Sequence, residues 1–262
     1  MTMTRKTLIA VVLTLVPLGV TDAALTVLVS PNDIQSAQAS GIIGVTPLQI
    51  FTETFNSHPT GGINGYYSTT IGVTYSTTSS KDVIKGNDQY GGYHEENYLG
   101  VTANSSVTLT LAAPAQYFGF YFTAGDPYNS IKVMSGLTTL MDFSTATLIN
   151  MLPKGSGSHI TAINGNQYAT DDYYGQPTSN LNSSEPYAYL HFVAFGGTTF
   201  DQLILSQGSK FIFENDNHSI LTATPVIPGS LVYVEGSAIP EASSWCMVLS
   251  ALGGSLLVRR RH

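Results

Sequence analysis

Charged side chains are scarce in this chain of 262 residues, at 10% against roughly 25% in an ordinary soluble domain. Basic residues are the rarest, because 10 lysines and arginines face 17 acidic residues and leave a formal net charge of −7. So few cations cannot neutralise a phosphate backbone, which argues against a nucleic-acid partner. Hydrophobic residues reach 43%, so the chain is not a disordered acidic polymer and is long enough to bury a core.

Cysteine and catalytic signatures are also nearly absent. The single cysteine is Cys246, close to the C-terminus, so no internal disulfide can hold the region before it. The histidines lack metal-binding spacing, and there is no nucleophile elbow. Adjacent acids such as Asp171 and Asp172 point to opposite faces of a strand, so they do not form a glycosidase pair. We therefore expect a protein that is not an enzyme.

The N-terminus has the layout of an export signal. Arg5 and Lys6 precede an apolar run over Leu8–Val20, and the small residues Thr21 and Ala23 occupy the −3 and −1 positions of a cleavage site. This pattern predicts a signal peptide over residues 1–23, handled by the secretion machinery and removed by signal peptidase.

Two alternatives to that cleavage remain open. Ala37-Gln38-Ala39 also fits a small-x-small cleavage site and would end the leader after residue 39, although it lies farther from the apolar run. A retained N-terminal anchor is the other alternative, but Asp22 ends the apolar run short of a spanning length.

The C-terminus carries a second apolar segment. No charge interrupts Trp245–Val258, and Arg259, Arg260 and Arg261 follow directly. Its length is at the lower limit for a transmembrane helix, basic residues stay on the cytoplasmic side, and tryptophan favours the membrane interface. The pattern predicts that the bulk of the chain faces outward, in agreement with the N-terminal signal.

Strand patterns dominate the region between these signals. Val107, Leu109 and Leu111 alternate with polar residues, whereas Tyr117–Phe122 is aromatic on both faces and predicts a central strand. One short helix is expected over Thr145–Leu152, with Ser144 as its N-cap. Further strands are predicted over Phe51–Phe55, Ser130–Met134, Leu140–Phe143, Tyr187–Phe195, Gln202–Leu205 and Lys210–Glu214. The fold class that follows is all-β, a β-sandwich or jelly roll.

The predicted organisation has five parts. Residues 1–23 are the signal peptide, 24–47 an N-terminal extension, 48–224 the β-sandwich domain, 225–238 a linker, and 239–262 a C-terminal segment with its helix and basic tail. The turn-rich stretch Gly155–Ser184 is expected to be a long surface loop of the domain.

The C-terminal segment resembles a known sorting signal. Its motif, apolar span and basic cluster match the PEP-CTERM signal of exported bacterial proteins, carried here by Pro240, Glu241, Ala242, Trp245, Arg259, Arg260 and Arg261. The resemblance implies that a membrane enzyme, exosortase, recognises the motif and removes the tail, and that the protein accompanies exopolysaccharide. Ala242 stands where the family usually has proline, and a simple C-terminal membrane anchor is the alternative.

The middle of the chain carries a second resemblance. Tyr117–Ser130, Asn97–Leu99, Glu185–Leu190 and Phe213–His218 look like patterns in one group of exosortase-dependent surface proteins. That group is similar in strand pattern to carbohydrate-binding jelly rolls, so the resemblance implies a fold and an exported location but no ligand.

Acidic residues near the first and last predicted strands suggest a metal site. Glu53 lies on the first strand, and Glu214 and Asp216 lie at the last, and these strands are usually neighbours in a jelly roll. Calcium takes six to eight oxygen ligands, which carboxylates and carbonyls supply. We therefore hypothesise a structural Ca²⁺ site formed by these three residues; the alternative is a solvated acidic surface.

Aromatic and polar loop residues suggest contact with glycans. Tyr93 and Tyr173 lie beside acids in predicted loops, and Asp126 and Asn129 lie in a turn between two strands. Sugars stack on aromatic rings and hydrogen-bond to carboxylates and amides, although exposed tyrosines and turn-forming Asp and Asn are common on plain β-proteins.

The sequence therefore predicts an exported, non-catalytic protein of the cell surface or extracellular matrix. It is expected to be held transiently in the membrane by its C-terminal helix and to associate with exopolysaccharide. The first alternative is a calcium-stabilised, lectin-like carbohydrate-binding module, and the second is a carbohydrate-active hydrolase.

Overall fold

The computed structural model describes residues 25–86, 96–177, 181–222 and 225–226. The predicted signal peptide and sorting signal, and nearly all of the predicted linker, lie outside these residues. Within the described ranges, no helix is both long and apolar enough to cross a membrane.

The described part of the chain is mostly antiparallel β-structure, which confirms the predicted all-β class. Its strands are β1 (Leu25–Val29), β2 (Ile50–Glu53), β3 (Gly61–Gly62), β4 (Tyr67–Ser68), β5 (Val73–Thr77), β6 (Val83–Lys85), β7 (Tyr98–Thr102), β8 (Ser105–Ala115), β9 (Tyr117–Phe122), β10 (Asn129–Ser135), β11 (Thr138–Ser144), β12 (His159–Thr161), β13 (Gln167–Ala169), β14 (Ala188–Ala194), β15 (Phe200–Gln207) and β16 (Ile212–Leu221). The helix α1 covers Thr145–Met151, and 3₁₀ turns cover Pro47–Gln49 and Thr170–Tyr173.

Two large sheets contain almost all of these strands. The first has the order β1-β14-β9-β16-β7-β6-β3, with β2 also paired to β16, and the second has the order β11-β10-β15-β8-β5-β4. Strands β12 and β13 form a separate hairpin inside the predicted loop Gly155–Ser184. From β7 to β10, and again from β14 to β16, consecutive strands alternate between the two large sheets.

One hydrophobic core draws on both large sheets. Strands of the first sheet supply Val27, Phe120, Leu190 and Phe213, and strands of the second supply Val107, Leu109, Val133 and Leu203. These side chains follow the two-residue period of their strands, because alternate residues of a strand face the same side. As predicted, β9 is buried along its whole length and lies inside its sheet.

The predicted helix is confirmed. The Oγ of Ser144 accepts a hydrogen bond from the N–H of Thr147 at 3.3 Å, as an N-cap residue does. The helix ends one residue before the predicted boundary.

The last strand is longer than the sequence pattern indicated. We predicted a strand over Lys210–Glu214 only. The Asn and Asp residues that follow favour turns in general. The strand β16 instead continues to Leu221 and pairs with β2, β7 and β9. Asn217 has a φ of 52° within a β-bulge, and this irregularity accommodates the polar residues without ending the strand.

The region predicted as an N-terminal extension contains a strand of the first sheet. Strand β1 pairs with β14 over five residue positions, from Leu25↔Ala194 to Val29↔Leu190. All five residues of β1 are buried, so the described domain includes residues upstream of the expected boundary at residue 48.

A fully buried acid fixes the turn before β6. The carboxylate of Asp82 accepts hydrogen bonds of 2.5–2.8 Å from the hydroxyls of Thr77, Thr102 and Ser105 and from the N–H of Thr102. Hydrogen bonds to a charged group are among the stronger ones, so this carboxylate links β5, β7 and β8.

Two fully buried histidines use both of their ring nitrogens in hydrogen bonds. His191 on β14 contacts the Oγ of Ser30 through Nε2 and the hydroxyl of Tyr117 through Nδ1, both at 2.8 Å. Because Ser40 donates to the carbonyl of Ser36, it must accept from Ser30, which in turn accepts from His191 Nε2.

The hydrogen-bond partners of His218 on β16 also fix which of its ring nitrogens carries the proton. Asn215 Nδ2 donates to the carbonyl of Phe213, so its Oδ1 accepts from His218 Nε2 at 2.8 Å, while Tyr75 donates to Nδ1 at 2.9 Å. Burial lowers the pKa of both His191 and His218 from 6.5 to about 3.

These pKa values predict a fall in stability in acid. The contribution of each neutral histidine is complete above about pH 6.5 and is lost as the pH falls toward 3, because the unfolded chain binds the proton first. Each histidine should lower the free energy of unfolding by about 1.4 kcal/mol per pH unit within that window.

Denaturant unfolding between pH 6 and pH 4 measures this slope. His191→Gln should reduce the slope by about 1.4 kcal/mol per pH unit, the contribution of one buried histidine. His159→Gln, at an exposed position on β12, should leave the slope unchanged. An unchanged slope in His191→Gln would contradict the neutral buried histidine.

Candidate functional site

The strands of the hypothesised calcium site are neighbours, but the structure does not bring its three carboxylates together as one group. Strand β2 pairs with β16 as predicted, and the register places Glu53 opposite His218. Glu214 lies opposite Gly100 of β7, farther along β16. Among the residues that the structure describes, no group of three or more His, Cys, Asp or Glu side chains is arranged to hold a metal ion.

Glu53 has a local structural role. Its side chain is 4% exposed, Oε1 accepts from the N–H of Phe55 at 2.7 Å, and Oε2 accepts from the hydroxyl of Tyr66 at 2.6 Å. Burial and the hydrogen bond to Glu53 raise the pKa of Tyr66 to about 12. The carboxylate therefore fixes the bend after β2.

The predicted glycan contacts separate into different environments. Tyr173 is 1% exposed and donates to the carbonyl of Ser30 at 2.7 Å, so it belongs to the interior and is a wrong prediction as a surface contact. Asn129 is fully buried at the start of β10, and neither atom of its amide has a hydrogen-bond partner among the described residues. Tyr93 and the residues of the sorting motif lie outside the described residues. Of the predicted glycan contacts that the structure describes, Asp126 is the one that lies at a surface pocket.

Asp126 lines a pocket of about 420 Å³ at one end of the first sheet. Small-molecule sites have volumes of about 300–1,000 Å³, so the pocket is large enough for such a ligand. Its lining residues are Lys85, Ala124, Asp126, Glu185, Phe211, Ile212 and Glu214.

Three segments that are distant in sequence meet at this pocket. The turn after β9 supplies Asp126, the segment before β14 supplies Glu185, and the start of β16 supplies Glu214. Gly125 connects the first two, because its N–H donates to the carbonyl of Pro186 at 3.1 Å. A Cβ at Gly125 would lie 2.7 Å from the Pro186 ring, so only glycine permits this approach.

Two hydrogen bonds to the backbone carbonyl of Asp126 fix the turn in which this residue lies. The carbonyl of Asp126 accepts from the N–H of Asn129 at 3.1 Å and from the hydroxyl of Thr145 at 2.5 Å. On the β16 side, the carbonyl of Glu214 accepts from the hydroxyl of Thr123 at 3.0 Å. The backbone around the acidic side chains is therefore held in place before any ligand arrives.

The pocket is negative, because three carboxylates and one lysine line it. Burial raises the pKa of Asp126. Burial, followed by the negative charge of Asp126, raises the pKa of Glu185. Lys85 lies over the ring of Tyr98, 5.5 Å from its centre.

An exposed aromatic ring lies at the same pocket. The side chain of Phe211 is 61% exposed, immediately before β16. Phe211 and Ala124 have positive φ values of 66° and 43°, which are uncommon for residues other than glycine and concentrate at functional sites. The arrangement offers hydrogen-bond acceptors from carboxylates beside an apolar ring, which suits a polyhydroxylated ligand.

Sequence reasoning found Asp126 and Glu214 but assigned them to different sites. It missed Glu185, because nothing local distinguishes an acid before a proline. It placed Phe211 inside a strand, although the exposed residue precedes β16. The link between Gly125 and Pro186 has no sequence pattern of its own.

Compared with known proteins, the chain matches no protein-family model and has no significant match among curated proteins. These comparisons leave the PEP-CTERM signal as a prediction from the sequence motif.

The electrostatic coupling inside the pocket gives a direct prediction. Asp126→Asn removes the negative charge beside Glu185 and should lower the pKa of the Glu185 carboxyl. Carbon-detected NMR titration of the glutamate side chains measures this shift. Asp142→Asn, at an exposed position on β11, is the matched control and should leave Glu185 unchanged. An unchanged Glu185 pKa in Asp126→Asn would contradict the coupling.

Proposed function

We propose that the chain is an exported, non-catalytic surface protein that binds glycan in the pocket formed by Asp126, Glu185, Phe211 and Glu214. In this proposal it is sorted by exosortase and associates with exopolysaccharide at the cell envelope or in the extracellular matrix. The observation that carries the glycan-binding part is the pocket, where buried or partly buried carboxylates lie beside an exposed aromatic ring.

The finer fold assignment is part of the proposal. Two antiparallel sheets around one core, with consecutive strands alternating between them from β7 to β10 and from β14 to β16, support a β-sandwich of the jelly-roll type. In such a fold the loops at the ends of the strands are common places for ligands, because a rigid scaffold positions them. The pocket is built from segments of this kind.

The chemistry of the pocket favours a polyhydroxylated ligand. Ionised carboxylates only accept hydrogen bonds, and sugar hydroxyls donate them. The ring of Phe211 provides an apolar face for the C–H side of a sugar ring. An open, pre-formed pocket with a few convergent polar groups is typical of small-ligand sites.

The location of the protein is proposed from the two terminal patterns. The basic and apolar N-terminal run favours export, and the motif from Pro240 to Trp245 followed by three arginines favours sorting by exosortase. The absence of cysteine before Cys246 suits a domain whose folding does not depend on oxidation outside the cell.

Binding to exopolysaccharide tests the glycan proposal. The probe is exopolysaccharide purified from the producing cells and immobilised, and the protein is the exported chain as the cells process it. Phe211→Ala and Glu185→Gln should each weaken binding at least about tenfold, which corresponds to about 1.4 kcal/mol from one lost contact. Retention on the immobilised polymer measures it.

The control variant is Leu137→Ala. Leu137 is fully exposed in the turn between β10 and β11, at the opposite end of β10 from the Asp126 turn, and this variant should bind as the wild type does. Equal binding by all variants, or no binding by the wild type, would exclude the pocket as a site for this glycan.

Mass spectrometry of the C-terminal peptide tests the sorting proposal. Protein from native envelope and secreted fractions should end near Pro240, because exosortase removes the tail despite Ala242. A chain that continues intact to His262 in both fractions would exclude processing and leave a simple membrane anchor.

A further inference from the structure

We infer that the leader is cut upstream of Leu25 and that residues 25–39 stay in the mature protein as part of its fold. The sequence offers two sites for signal peptidase, after Ala23 and after Ala39. The structure favours the upstream site, because only that cut retains strand β1. The inference rests on the proposed export of the chain. Its support comes from the contacts that residues 25–39 make with the rest of the domain.

Strand β1 is built into the first sheet. It pairs with β14 along its whole length, and Leu25, Val27 and Val29 belong to the core between the two large sheets. Cleavage after Ala39 would remove these three side chains and leave β14 as an exposed edge. All seven residues of β14 are buried, so the new edge would be apolar and open to pairing with other chains.

Ser30 completes the hydrogen-bond network of a buried histidine. The Oγ of Ser30 accepts from Nε2 of His191 at 2.8 Å, and no solvent reaches this site, because both residues are fully buried. Without Ser30, the N–H of His191 would lose its acceptor in the interior. A buried polar group without its hydrogen bond strongly disfavours the folded state.

The backbone at the end of β1 and directly after it is hydrogen-bonded to three other segments. The carbonyl of Val29 accepts from the N–H of Ile163 at 2.9 Å, and the carbonyl of Ser30 accepts from the hydroxyl of Tyr173 at 2.7 Å. The carbonyl of Gln35 accepts from Asn217 Nδ2 on β16 at 3.0 Å. Residues 25–39 are therefore hydrogen-bonded to three other parts of the described domain and are not a detachable tail.

The position of the upstream site agrees with this arrangement. A cut after Ala23 leaves a mature chain in which one residue, Ala24, precedes β1. The hydrolysis consumes one water molecule at the peptide bond between residues 23 and 24, leaving a carboxylate on the leader and an amino group on the mature domain.

Two variants of the full precursor, expressed in a secreting bacterial host, separate the sites. Ala23→Arg places a large charged residue at the upstream −1 position and should lower the yield of mature exported chain at least tenfold, with precursor accumulating. Ala39→Arg blocks the downstream site at a position that is exposed, so the fold should tolerate it. This variant should give the same mature N-terminus and the same yield as the wild type.

N-terminal sequencing and intact mass of the exported protein give the decisive readout. A chain that begins between residues 22 and 25 supports the inference. An exported chain that begins at Ser40, or a loss of processing in Ala39→Arg, overturns this inference and leaves export standing. A full-length chain found only in the cytosol overturns the export proposal as well, and a full-length chain anchored with its domain outside overturns the cleavage alone.

Discussion

The fold depends on hydrogen-bonding a row of polar side chains that β16 carries through the interior. Residues Asn215, Asp216, Asn217, His218 and Ser219 are all buried. Burying such groups is costly unless their donors and acceptors are matched. His218 shows how the match is made, because Tyr75 of the opposite sheet donates to one ring nitrogen and Asn215 accepts from the other. Its ring also packs edge-on against Phe55 and Phe118.

This arrangement makes the domain depend on its last described strand. Strand β16 pairs with β9 on one side, and with β7 and β2 in succession on the other. These three strands are therefore joined in one sheet only when β16 is in place. Asn217 also reaches the segment after β1, which ties the end of the described domain to its beginning. Pairings so distant in sequence slow folding, because the loops must close before the contacts form. The described residues contain no cysteine, so no disulfide supports these pairings.

The same strand positions the candidate site. Glu214 lies near the start of β16, where the strand meets the turn after β9 and the segment before β14. The outer end of the sheet is therefore where polar residues of β16 reach an open pocket, while those farther along remain buried. A single strand in this way contributes both the interior hydrogen bonds and one wall of the pocket.

Much of the fold could be predicted from local pattern. The aromatic run of β9 and the capped helix α1 were both recognisable, because one depends on residue type and the other on a side chain at a fixed position. The end of β16 could not be predicted, since Asn, Asp and Asn together favour a turn until buried partners from other strands supply their hydrogen bonds. The sheet position of β1 could not be predicted either, because its apolar residues follow the leader and look like its continuation.

The candidate site was the least predictable part. Asp126 and Glu214 were noted from the sequence, but their meeting with Glu185 depends on contacts across the fold that leave no local pattern. Tyr173 shows the opposite case, since an aromatic beside acids in a polar stretch looked like a surface contact and is instead an interior donor to Ser30. Whether an aromatic side chain in such a stretch is buried depends on tertiary packing, which local sequence does not show.

Native-state hydrogen exchange on the exported chain tests the central claim, that β1 and β16 are integral to one cooperative domain. The account predicts that amides of β1 and β16 exchange with the same opening free energy as those of β9, in the interior of the first sheet. Exchange of β1 or β16 through a separate, lower-energy opening, while β9 stays protected, would contradict it.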